Sequence, residues 1–123
     1  MPEDRTRITC HLPVRDAAQE KAFKKVIAFL RSKETEGIGV SGYTHSTTDA
    51  FYGYWYESDA KPAPAWVEDK IVLLLIDYKI PLSDPKSLSE EILQLKETIV
   101  EAYRYYGSVQ QEVWVVAQPV RRY

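Results

Sequence analysis

Cysteine is nearly missing: Cys10 is the only one in 123 residues, so no disulfide can form within the chain. That suits a reducing compartment, and we expect a cytoplasmic protein. Long apolar runs are missing too. The longest, Ile71 to Ile76, falls far short of the roughly 20 residues that cross a bilayer. The polar start Met1-Pro2-Glu3-Asp4-Arg5 lacks the apolar core of a signal peptide, so we expect no membrane partner. There is no basic excess, since 16 Lys and Arg face 18 Asp and Glu for a net charge of −2, with a pI near 5.7. Such a balance argues against a protein that lives on nucleic-acid phosphates.

Several chemical motifs are also absent. Cys10, His11 and His45 are the only soft metal ligands, with neither Cys-x-x-Cys nor His-x-x-x-His spacing. Cys10 and His11 are neighbours and would point to opposite faces of a strand. Gly37, Gly39 and Gly42 do not make the Gly-x-Gly-x-x-Gly fingerprint and precede a strand rather than opening a helix. No Gly-x-Ser-x-Gly elbow marks a nucleophile. We therefore expect no cofactor and no catalytic residue.

What the chain has instead is aromatic side chains, with nine Tyr and three Trp. Its length suits one domain spanning residues 1–123. Hydrophobic and charged fractions of 45% and 28% are ordinary for a globular protein.

Ile8 to Leu12 alternates as a strand does, and Pro13 ends it. Asp16 with Gln19 reads as a capping box opening a helix through Phe23, Val26, Ile27 and Leu30, with an exit at Gly37. From Ile38 to His45 the period becomes two. Ser46 to Asp49 reads as a turn, and Phe51 to Tyr56 as an aromatic strand. Pro62 and Pro64 make 59–65 a loop. The segment 66–80 is the strongest strand of all, because Ile71 to Ile76 is apolar on both faces. Ser87 and Glu90 suggest a second capping box, before a stripe of Leu88, Ile92, Leu95, Ile99, Ala102 and Tyr106 that Gly107 closes. Glu112 to Ala117 is the last strand, stopped by Pro119.

The order is β-α-β-β-β-α-β, or β-α-β-β-α-β if the aromatic strand extends a long hairpin. Two helices on one face of a mainly antiparallel sheet give an α+β sandwich of the ferredoxin-like kind. Such a plait leaves one sheet face bare, and these strands are too apolar for a face that meets water. An apolar patch of that size marks an interface or ligand groove, so we expect a homo-oligomer built through the sheet face.

His45 sits at a strand end beside Ser46 and Asp49, where sites are often assembled; a structural role is the alternative. Asp77 shares a strand face with Ile71, Leu73 and Leu75. It either ends the buried zone, sits in a cleft, or pairs with a base. Tyr52, Tyr54 and Tyr56 fall on one strand face and Trp55 on the other; with Trp114 they suit interface packing or a ring-lined pocket.

The run Phe51-Tyr52-Gly53-Tyr54-Trp55-Tyr56-Glu57 resembles the Tyr- and Trp-rich strand of the CutA family. Glu112 to Val120 is similar to that family's last core strand, and Tyr105-Tyr106-Gly107 to its tyrosine turn. CutA proteins and the related PII signalling proteins are ferredoxin-like trimers with ligand sites between subunits. The first are associated with divalent-metal tolerance and the second bind nucleotides. The resemblance implies a trimer with inter-subunit clefts and assigns no metal or nucleotide ligand. We therefore expect a homo-oligomeric module that binds a small molecule or protein partner without catalysis of its own. The alternative is a small dimeric α+β-barrel enzyme in which His45, Asp77 or a Tyr acts in a pocket between sheets.

Overall fold

A computed structural model describes residues 3–36, 40–46, 51–57, 62–108, 113 and 115–122. The elements follow in the order β1 (Glu3–Pro13), α1 (Ala17–Glu36), β2 (Val40–His45), β3 (Phe51–Glu57), β4 (Ala65–Tyr78), α2 (Pro85–Tyr105) and β5 (Val115–Arg122). This is an α+β fold with the expected sequence of elements. Four strands lie side by side in the order β2-β4-β1-β5, all antiparallel, and β3 also pairs with β4.

Both helices cover one face of the sheet. Ile8, Cys10 and Leu12 of β1 stand opposite Ile76, Leu74 and Val72 of β4. These six join Ala22, Phe23, Val26 and Leu30 of α1 and Leu95, Ile99 and Tyr103 of α2 in one buried core. Fully burying one such aliphatic side chain is worth about 1.5–3 kcal/mol. Two polar groups of the interior find carbonyl partners. Thr6 Oγ1 donates to the Ile80 carbonyl at 2.7 Å, and the Tyr103 hydroxyl donates to the Pro13 carbonyl at 2.8 Å, tying α2 to the end of β1.

The helix ends follow local chemistry. Gln19 N–H donates to Asp16 Oδ1 at 2.8 Å, and Gln19 Oε1 accepts from the Arg15 N–H at 2.8 Å. The box is thus reciprocal but reaches one residue further back than the standard pattern. The second helix is capped by Asp84 rather than Ser87: Asp84 Oδ1 accepts from Ser87 N–H, and Pro85 takes the first helical position, where a missing N–H costs nothing. Gly107, at φ 83°, closes this helix, donating to Arg104 O while Ser108 N–H reaches Tyr103 O. That is a Schellman ending, which needs a residue free to adopt positive φ. The expected exit at Gly37 lies outside the described residues.

Three expectations change. The alternation over 38–45 is broken by a bulge between Val40 and Gly42, so Tyr43 and His45 join Val40 on the helix-covered side. The chain also does not reverse between β2 and β3. β2 pairs with β4 from Tyr78 to Leu74, and β3 continues along the same edge from Ile71 to Ala65. Ser46 bridges the gap, its N–H donating to Leu73 O and its Oγ accepting from Leu73 N–H, both at 3.0 Å. The two strands are one interrupted arm of a long hairpin, as the shorter of the two element orders allowed. Finally, Pro119 does not stop β5, which continues to Arg122 with Pro119 opposite Thr6. An edge strand tolerates proline because the missing N–H can face away from the ladder.

Candidate functional site

β4 belongs to two environments. Residues 71–78 lie inside the sheet and the Lys70 carbonyl still accepts from the Val14 N–H at 2.8 Å, whereas 65–69 pair only with β3 in the ladder among the described residues. At about 3.3 Å per residue, residues 65–69 of this two-stranded ribbon span about 17 Å. Tyr52, Tyr54 and Tyr56 stand directly across from Lys70, Glu68 and Trp66. The three tyrosines are 56%, 58% and 58% exposed and Trp66 is 71% exposed. Tyr56 and Trp66 meet edge-to-face with centroids 5.5 Å apart. The charge of Glu68 holds the Tyr54 phenol above its usual value, helped by desolvation and a hydrogen bond to the same carboxylate.

By alternation Trp66, Glu68 and Lys70 share the side of β4 that carries Val72 and Leu74, so the aromatic row prolongs the helix-covered side; the opposite side of the sheet is the one the helices leave bare. There the strands carry Thr9, His11, Leu73, Leu75 and Val116, with Leu73 and Leu75 partly buried and Val116 about half exposed. His11 Nδ1 is buried with no hydrogen-bond partner among the described residues. Further along, the face turns polar. Arg7 Nε and Nη2 donate to Asp77 Oδ1 and Oδ2 at 2.8 and 3.2 Å. Next to this pair opens a cleft of about 340 Å³, lined by Arg5, Arg7, Ser41, Asp77, Val120 and Arg121.

Of the residues singled out from sequence, the three tyrosines form one exposed row, and Asp77 is the carboxylate that pairs with a base. His45 lies elsewhere. Its ring packs edge-on against Phe23 of α1 at 5.3 Å, on the helix-covered side, and its Nδ1 lies 2.8 Å from Ser46 O. His45 and Asp77 thus face opposite sides of the sheet and share no cavity, which removes the joint pocket that an enzyme using both would need. Trp114 and the side chain of Trp55, which stands opposite Val67 in the ladder, lie outside the described part.

Cys10 and His11 do point to opposite faces, and no group of three metal-binding side chains occurs among the described residues. Burial pushes the Cys10 thiol up to about 12, so it stays protonated and unreactive. No helix among the described residues is long and apolar enough to cross a membrane. The arginines of the cleft escaped sequence reasoning because β1 and β5 bring together residues more than 100 positions apart; the one local hint was Arg5-x-Arg7 on a single strand face. The chain matches no protein-family model and no curated protein.

Proposed function

We propose that this chain is a homo-oligomeric binding module of the ferredoxin-like kind, assembled through the β3–β4 ribbon and the apolar half of the bare sheet face. The strand order β2-β4-β1-β5, with α1 and α2 on one side, supports the ferredoxin-like plait, and the resemblance to CutA proteins favours a trimer. One observation carries the reading: four large aromatics, Tyr52, Tyr54, Tyr56 and Trp66, are each more than half exposed on a ribbon of two strands. An isolated two-stranded ribbon is marginal in water and needs a cover. Tyr and Trp are the residue types enriched where protein surfaces meet, and a second copy supplies the same aromatics and the same bare face. Leu73, Leu75 and Val116 present a second apolar surface on the opposite side of the sheet, with the Arg5 end as its polar rim.

The test is the mass in solution, by light scattering coupled to size exclusion over a wide concentration range. We expect about three times 14.2 kDa, and Trp66→Ser or Tyr54→Ser should shift the protein toward monomer while the helical content of its circular dichroism is kept. A monomer at every concentration overturns the proposal.

A further inference from the structure

We infer that copies of this chain join head to tail, the aromatic row of one lying across the bare sheet face of the next. This rests on the assembly proposed above and names the surface that each patch meets.

The two apolar surfaces lie on opposite sides of one sheet. Tyr52, Tyr54, Tyr56 and Trp66 prolong the helix-covered side, whereas Leu73, Leu75 and Val116 stand on the bare side. A two-fold contact matches a patch with its own copy. Row on row would therefore leave the bare face wet, and face on face would leave the row wet. A head-to-tail contact joins one surface of each kind, so a closed ring buries both on every chain. Area points the same way. The three tyrosines are 56%, 58% and 58% exposed and Trp66 71%, which at roughly 200 Å² for each side chain leaves about 500 Å² to cover. A row matched to itself thus falls short of the about 800 Å² that a stable contact takes from each partner. A ring adds the bare face of every chain to the area removed from water.

Charge and dimensions agree with this pairing. Glu68 is exposed and stands directly opposite Tyr54, in the middle of the row. A two-fold axis through the row brings two Glu68 carboxylates together, and like charges across an interface oppose it. The bare face offers Glu68 no such clash. Thr9 and His11 flank its apolar centre, and Asp77, at its polar end, already holds Arg7 at 2.8 Å. The four strands β2-β4-β1-β5, spaced by about 4.8 Å, make a face about 15 Å across, so a ribbon of about 17 Å reaches from one edge to the other.

The experiment mixes two variants, each with one surface spoiled, and reads mass by light scattering coupled to size exclusion at rising concentration. Trp66→Ser spoils the row and Val116→Glu the face; both positions are exposed, and circular dichroism checks that each variant folds. We expect each variant alone near 14.2 kDa and the equimolar mixture near twice that mass. One intact row then meets one intact face, and neither remaining end can add a chain. Should Val116→Glu fail to fold, Leu73→Glu takes its place. A mixture that stays at the mass of one chain while the parent assembles overturns the inference. So does a variant that assembles by itself: dimers of Trp66→Ser mean face on face, and dimers of Val116→Glu mean row on row. A parent that is monomeric at every concentration overturns the assembly reading as well and leaves both surfaces to a different partner, so the two failures are told apart.

Discussion

The two halves of β4 make an instructive pair. Ile71 to Tyr78 and Ala65 to Lys70 form one unbroken strand, with β-formers in both. In the first half Val72, Leu74, Ile76 and Tyr78 are buried against two helices and flanked by β1 and β2. In the second, Trp66 is 71% exposed and the strand's ladder partner is β3. Strand propensity is therefore common to both halves, and stability is not. What separates them is a layer to bury against, because a side chain gains its transfer free energy only when water is removed from it.

The largest expected effect tests the buried half. Leu74→Ala should cost about 2–5 kcal/mol, the range for a truncated core leucine, read as a fall in the denaturation midpoint with the slope unchanged. A loss below about 1 kcal/mol would mean that the body is packed no better than the ribbon.

Next comes Tyr103→Phe, which removes the donor to the Pro13 carbonyl. A buried carbonyl left unpaired costs about 1–3 kcal/mol, measured by urea denaturation. A neutral result would place water or another donor at that carbonyl.

Alkali separates the halves in another way. Burial raises Cys10 from its ordinary 9.0 to about 12 and lifts Tyr78 and Tyr103 above their ordinary 10.0. In each case the folded state holds a proton that the unfolded chain releases sooner. Their contribution is complete below about pH 9 and is lost as pH climbs from there through the folded values. Melting temperatures from pH 8 to 11.5 should fall accordingly, and Cys10→Ala should flatten part of the slope. A melting temperature that holds steady to pH 11.5 would contradict the burial of these groups.

The smallest effect on folding belongs to the ribbon. Trp66→Ser, the same variant that should disrupt assembly, should change the stability of the dissociated chain by no more than about 0.5 kcal/mol, as exposed substitutions do. A loss comparable to that of Leu74→Ala would make the ribbon part of the core and erase the contrast.

Much of the fold was legible because it is written in local signals. Asp16 and Gln19 mark a helix start, Gly107 marks an end, and the stripe from Leu88 to Ala102 has helical period. Each depends on residues within a few positions of one another. Apart from the second helix cap, which Asp84 takes in place of Ser87, errors came where a neighbour in space decided. The bulge at Ser41 turned Tyr43 and His45 to the helix side, and the ladder to β1 carried β5 past Pro119. The turn expected over 46–49 lies, apart from Ser46, outside the described residues; the pairing of Ser46 with Leu73 and of Phe51 with Ile71 puts β2 and β3 on the same edge of β4.

The candidate sites divide in the same manner. The aromatic row was visible as Tyr52, Tyr54 and Tyr56, since alternation alone puts every second residue on one face. Asp77 was visible as a carboxylate in an apolar strand, but its partner Arg7 lies 70 residues away. The cleft needed β1, β2, β4 and β5 together.

The sequence by itself determined the α+β class, the order of elements, the start of the first helix, the end of the second and the apolar character of both faces of β4, all of which follow from spacing and short-range hydrogen bonding. Tertiary structure alone decided which face of β4 the helices cover, that β2 and β3 share one edge, and that Arg7 meets Asp77. Those outcomes depend on strand register and on which distant segments find each other. A two-residue period specifies that a strand has two faces, but it carries no information about what will lie against either one.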